Sequence, residues 1–232
     1  MSEASEKVEG MKQLAIFPLP LVLLPNELLP LHIFEPRYRQ MFQAIEHERK
    51  LFGLSYFDPK ESFAERPATG TVGCVAEVRE TQTMPDGRSN VLTAGVIRYR
   101  VLDYVDLGEP YLTAEVEFFE DIRDDEKVLK PAADEIFRLF ERVARAAFDL
   151  SGSRGKFPEI KQSDPEQLSF LVTAAFGLDN ELKYELLAME STILRLNRLR
   201  GILSQAVEKM EESAEIHKAA RTNGHSDKKI EL

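Results

Sequence analysis

The sequence predicts an α+β protein: a small antiparallel β-barrel carrying one helix, followed by a C-terminal helical bundle of about four helices. Three observations predict it. From Leu14 to about Asp121, short apolar runs are separated by prolines and turn residues. Within that half, Pro85-Asp86-Gly87-Arg88 is a tight-turn signal, because Gly accepts positive φ and Asp tolerates it. After Asp121 the apolar spacing lengthens to that of helices.

In the first half, Leu14, Ile16 and Leu19 to Leu24 form runs broken by Pro18 and Pro20, as at a sheet edge or barrel corner. Leu28 to Phe34 is a second run. Glu35-Pro36 opens a helix, since proline loses nothing at a first helical position, and Tyr38, Met41, Phe42 and Ile45 share its apolar face. Leu51 to Phe57 reads as a strand, Lys60 to Pro67 as a polar loop, and Thr71 to Thr83 as a strand leading into the turn. Val91 to Ala94, Val96 to Val105 and Tyr111 to Phe119 are further β segments.

Arg123 to Glu126 is a polar break. Ile136, Phe140, Val143 and Ala147 then mark one helix, and Ser151 to Ser163 is a loop. Asp164-Pro165-Glu166-Gln167 starts a second helix, Asp179 caps a third, and Ser191 or Thr192 starts a fourth that extends to about Ala220. The predicted organisation is a flexible N-terminus (1–13), a β lobe (14–121), a helical lobe (122–220) and a disordered tail (221–232).

Hydrophobic residues make up 43% and charged residues 30% of the 232 residues, a globular composition. The net charge of -10 disfavours binding to phosphate backbones and anionic membranes. A single cysteine, Cys74, and four His offer no disulfide and no metal cluster, so neither a metal nor another cofactor is expected. The polar first thirteen residues lack the pattern of a secretory signal, and prolines interrupt the one leucine-rich stretch, so a soluble cytoplasmic protein without a membrane span is expected.

Phe17-Pro18-Leu19-Pro20, Leu24-Pro25 and the run from Leu29 to Tyr38 (LPLHIFEPRY) resemble the opening of the N-terminal substrate-binding domain of Lon proteases. Leu51-Phe52-Gly53, Pro85 to Arg88, Gly95 to Arg100, Asp164-Pro165-Glu166 and Glu185-Leu186-Leu187 resemble its later landmarks in order. The resemblance runs from about Leu14 to Met210 and implies a PUA-like barrel with a helical bundle, residues 14–220 forming one such domain. It implies substrate recognition by a stand-alone form, because 232 residues leave no room for the ATPase and protease domains. The nearest approach to a phosphate-binding loop, Gly152 to Phe157, has the wrong spacing and no hydroxyl residue after its lysine. The implied partners are unfolded or misfolded polypeptides, a Lon protease or a chaperone, in protein quality control. A PUA-like RNA-binding protein is the alternative, opposed by the acidic charge balance.

The candidate polypeptide-binding residues are Leu28, Leu29, Phe34, Glu35, Arg37 and Arg39. Pro25 and Pro30 remove backbone donors from this stretch, so apolar side chains are expected to stay exposed, with charges around them. Arg98 and Arg100 alternate with apolar residues on one sheet face and are candidates for an anion or partner contact. His32, Ser55, Ser62 and Cys74 lack any sequence signature of an activating partner, so no catalytic residue is expected.

Overall fold

The computed structural model describes residues 2–58, 66–151 and 162–223. In chain order the elements are α1 (Glu3–Lys7), β1 (Gln13–Leu19), β2 (Leu28–Ile33), α2 (Pro36–Glu46), β3 (Leu51–Tyr56), β4 (Val72–Thr83), β5 (Ser89–Val105), β6 (Leu112–Phe119), α3 (Glu126–Leu150), α4 (Pro165–Ala175), α5 (Asn180–Ala188) and α6 (Thr192–Asn223). They fall into two compact units. Met1–Ile122 and Phe170–Glu190 form the first; Arg123–Ser169 and Ser191–Leu232 form the second.

The six strands run in the order β2-β5-β4-β3-β1-β6, and β6 pairs back onto β5, closing a barrel-like ring with β2 left at an edge. The ring is mixed rather than wholly antiparallel, because β1 and β3 are parallel, with Ile16 opposite Gly53 and Leu19 opposite Tyr56. The antiparallel expectation fails at this pair: α2 lies between the first strands in sequence and carries the chain back to the starting end. The two β segments expected on either side of Gly95 are one 17-residue strand, β5.

Strand alternation sorts the apolar residues into two cores. Leu14, Ile16, Leu51, Val75, Ile97, Tyr99, Val101, Ala114 and Val116 form one. Phe17, Phe52, Leu54, Cys74, Ala76 and Val91 form the other, against Tyr38, Met41 and Ile45 of α2. In the first, the Tyr99 ring occupies the space where Gly53 and Gly73 lack side chains. A Cβ on either would lie 2.6 or 2.5 Å from Tyr99 Oη. The same hydroxyl bonds Ser55 Oγ at 2.7 Å, which satisfies both buried polar groups.

The N-terminal segment differs from the flexible one expected. Ser2 caps α1 by accepting from the Ser5 N–H, Val8 is buried in the first core, and Lys7 pairs with Glu77 at 2.9 Å. Arg49 Nη1 donates to the carbonyls of Lys7 and Glu9. Polar composition concealed one anchoring valine and these bonds to residues distant in sequence.

The four helices expected after the strands are α3, α4, α5 and α6, and they are divided between the two units. The boundary between the units falls within α4, and α5 belongs with the strands: Phe170 and Leu187 pack against Val22, Leu24 and Val72. The second unit rests on α3 packed along α6, with Ile136, Val143, Leu196, Leu199 and Leu203 buried. The Asp124 carboxylate accepts from Ser191 Oγ and from the Ile193 N–H at 2.9 Å, satisfying the start of α6. Residues 59–65, 152–161 and 224–232, which hold most of the expected loops, the glycine-lysine segment and much of the expected tail, lie outside the described residues.

Arg98, in the middle of β5, is 1% exposed. Its guanidinium donates to Asp121 Oδ1 at 2.5 Å and to the carbonyls of Leu187 (3.2 Å) and Met189 (2.5 Å), and lies 4.6 Å from the Phe119 ring. Removing the carboxylate leaves a buried cation short of its counter-ion. Asp121→Asn is therefore expected to destabilise the protein by about 3–5 kcal/mol in chemical denaturation, whereas the paired apolar change Arg98→Met with Asp121→Leu costs less. Equal stability of Asp121→Asn and the native chain would contradict this account.

Cys74 is fully buried, and burial pushes its thiol up to about 12. The folded protein should keep it as the neutral thiol at pH 8 and resist a thiol-reactive dye, with labelling following unfolding. Rapid labelling of the folded chain would place Cys74 outside the core.

Candidate functional site

β2 is paired on one side only, with β5, so its side chains meet two environments. Leu29, Leu31 and Ile33 turn inward toward the α2 core. Leu28, Pro30 and His32 are exposed on the opposite face, and Phe34 follows in the same alternation. Leu28 is 61% exposed and Phe34 59% exposed. The expectation that Leu28 and Leu29 share one exposed patch is corrected here: the two-residue period of the strand places Leu29 in the core.

Cross-strand register extends this outer face. Pro30 lies opposite Leu92, which lies opposite Glu80; His32 lies opposite Asn90, which lies opposite Gln82. These six residues line a shallow depression of about 510 Å³ on the β2–β5–β4 surface. His32 Nδ1 and Asn90 Oδ1 are 2.8 Å apart, and the His32 ring stacks on Phe34 with centroids 6.0 Å apart. Strand alternation keeps Phe34 on this outer face, away from the core side taken by Ile33. The resulting surface is an apolar stripe with amide and carboxylate groups beside it.

α2 begins where the stripe ends. Pro36 takes its first position and Glu35 its N-cap, but the Glu35 carboxylate does not cap the helix. It pairs with Arg37 instead, with Arg37 Nη2 at 2.9 Å, and the Arg37 guanidinium also lies 4.6 Å from the Tyr38 ring. Glu35 and Arg37 thus form a partly exposed charged rim next to Phe34. Arg39 does not join that rim. It lines a separate cleft between α2 and the β4–β5 hairpin.

Arg98 and Arg100 share a sheet face, as their alternation predicts, and both lie over Phe119. The proposed anion or partner contact is corrected for Arg98: it is buried and engaged by Asp121 and two carbonyls. Arg100 is partly exposed and pairs with Glu190 at 2.6 Å. Both acidic partners come from sequence-distant segments that alternation cannot reveal.

Nothing in the described residues assembles a catalytic constellation. Ser55 is spent on Tyr99, Cys74 is a buried neutral thiol, and His32 bonds an amide. Ser62 lies outside the described residues. No group of three or more His, Cys, Asp or Glu among the described residues could hold a metal ion, and no described helix is long and apolar enough to cross a membrane. Sequence reasoning missed His32, Leu92 and Glu80 as members of the outer face; the signal available was the strict alternation of Leu28, Pro30, His32 and Phe34.

Comparison with known proteins agrees with this architecture. A family described as the ATP-dependent protease La (LON) substrate-binding domain matches residues 13–205. Lon protease of Escherichia coli (strain K12) is 26% identical over 216 residues, covering 89% of this chain and 26% of the relative. Lon protease of Trichlorobacter lovleyi is 23% identical over 226 residues, covering 94% of this chain and 27% of the relative. This chain therefore spans about a quarter of the length of the curated relatives it matches. Among solved structures, a Lon N-terminal domain protein from Xanthomonas campestris superposes with a TM-score of 0.61 at 22% identity, covering 82% of this chain and 97% of that one. The N-terminal domain of a Mycobacterium avium complex Lon protease gives 0.60 at 17% identity, covering 83% and 98%. With most of its length matched by the family and its fold shared with two such domains, the chain belongs to the Lon substrate-binding domain family.

Proposed function

We propose that this protein is a non-catalytic recognition module that holds exposed apolar segments of unfolded, misfolded or partner polypeptides on the outer face of β2–β5–β4. One observation carries this reading: Leu28, Pro30, His32 and Phe34 form a solvent-facing apolar stripe on a strand with an unpaired edge. An exposed apolar stripe with a polar border is the usual form of a protein-contact surface. Leu28 and Phe34 provide contact area, Leu92 extends it, and Glu35 with Arg37 and Glu80 discriminates by charge at the border.

The open edge of β2 adds a second element. An extended client segment laid beside it meets backbone groups that no other described strand occupies, while Pro30 interrupts the row of donors. That interruption disfavours a long, tight ladder and suits transient holding. Membership of a substrate-binding family supports the class of ligand, and the net charge of -10 speaks against the RNA-binding alternative. Of the basic residues Arg195, Arg198 and Arg200 on α6, Arg195 is buried against Ser169 and Arg200 lies 3.6 Å from Glu135, which weakens a basic surface there. In this reading the module works in the cytoplasm in protein quality control, delivering or withholding clients from a Lon protease or a chaperone, without ATP.

Binding to a reduced, carboxymethylated model protein that cannot refold tests the proposal. Leu28→Ser with Phe34→Ser should weaken binding by about 1–3 kcal/mol, the scale of losing one or two apolar contacts, with little change in melting temperature. Leu29→Ser should instead lower the melting temperature, because that side chain is partly buried against the α2 core. Unaltered affinity in the Leu28/Phe34 variant, or no binding by the native chain, would remove the outer face from consideration.

A further inference from the structure

The bonding pattern of β2 fixes which of its backbone groups face the open edge. The Gly95 N–H donates to the Glu27 carbonyl at 2.9 Å, just ahead of β2, and the Thr93 hydroxyl donates to the Leu29 carbonyl at 2.9 Å. In an antiparallel ladder the bonded positions recur at every second residue. Glu27, Leu29, Leu31 and Ile33 therefore turn their backbone groups to β5, while Leu28, Pro30 and His32 turn theirs away from it. Pro30 fits this phase, since a residue without an N–H then leaves no gap in the β5 ladder. Among the described residues, no further strand, loop or cap bonds to the outward groups. The same three residues carry side chains of the solvent-facing stripe.

The open edge thus presents carbonyl acceptors at Leu28, Pro30 and His32 and N–H donors at Leu28 and His32. No Asp, Glu, Lys or Arg stands between Leu28 and Phe34 to guard it. Donors and acceptors alternating at strand spacing complement an extended peptide backbone; a helix has its own backbone groups bonded internally. We propose that the client adds to this edge as a further strand and is selected by alternation, with an apolar side chain at every second residue. Side chains opposite one another in paired strands share a face, so the apolar set lies beside Leu28 and Phe34. The intervening set falls beside Leu29 and Leu31, which are already half-buried against the α2 core and offer it little further apolar surface. A second copy of this chain is disfavoured as the occupant by the net charge of -10. The inference rests on the proposed polypeptide binding and names the conformation and pattern of the client.

The test uses the full chain and fluorescence anisotropy of a labelled decapeptide of alternating valine and glutamine, with a shuffled peptide of the same composition that groups the valines. The alternating peptide is expected to bind at least about tenfold more tightly than the shuffled one. Methylating its backbone nitrogens on every second residue, in the valine set or in the glutamine set, reads the edge directly: one set should abolish binding and the other should leave it within about twofold, because only one set of N–H groups faces β2. Pro30→Ala restores a donor to the edge and should tighten binding of the alternating peptide several-fold. Equal binding of alternating and shuffled peptides, or equal effects of the two methylated sets on the native chain, overturns the proposal. Self-association of Pro30→Ala without tighter peptide binding would make the occupant a second copy and also overturns it. Binding of the carboxymethylated protein, measured in parallel, separates the two readings: if it persists while the two methylated sets act alike, the added-strand inference alone falls.

Discussion

Closure of the strand ring depends on β5. Its 17 residues serve β2 and β4 through the first half and β4 and β6 through the second, so a single strand links the edge, the hairpin and the closing seam. At about 3.4 Å per residue such a strand would overrun the ring if it stayed straight. It bends at irregular register steps, between Cys74 and Ala76 and between Val78 and Glu80 on the β4 side, and between Val101 and Asp103 on the β6 side. Arg98 and Tyr99, adjacent on β5, then fix its two faces. Tyr99 enters a space that two glycines leave, and Arg98 is held by Asp121 and the end of α5.

The functional surfaces follow from that arrangement. Because β5 is already engaged by β4, β2 can add only at its far side and ends as an edge. One face of β2 is then claimed by α2 and the other is left to solvent. The hairpin that joins β4 to β5 projects past α2, and the cleft lies between them. Arg37 and Arg39 thus diverge to the outer rim and to the cleft, although they lie only two positions apart on the same helix.

Local chemistry was legible in the sequence. Pro36 at the start of α2, the Pro85 to Arg88 turn, Asp179 as a cap and the strand runs all rest on rules spanning a few residues. Gly95 misled, since it reads as a break in β5 but lies inside the strand, where the Leu24 carbonyl passes so close that a Cβ would sit 2.0 Å from its oxygen. The parallel β1–β3 pair, the counter-ion of Arg98 and the attachment of α5 to the strands all depend on partners far away in sequence. Of the candidate site, the stretch from Leu28 to Arg39 was visible as a proline-limited apolar run with charges. Its division into a solvent face, a core face and a cleft required the register with β5.

The central claim is that the outer face of β2–β5–β4 is where polypeptide binds. Backbone amide spectra of the isotopically labelled protein, recorded while an unfolded polypeptide is added, test it most directly. The account predicts that shifts concentrate at Leu28, His32, Phe34, Asn90 and Leu92, with the exposed apolar residues Leu102 and Leu107 unmoved. Shifts centred on Leu102 and Leu107, with Leu28 to Phe34 unchanged, would contradict it.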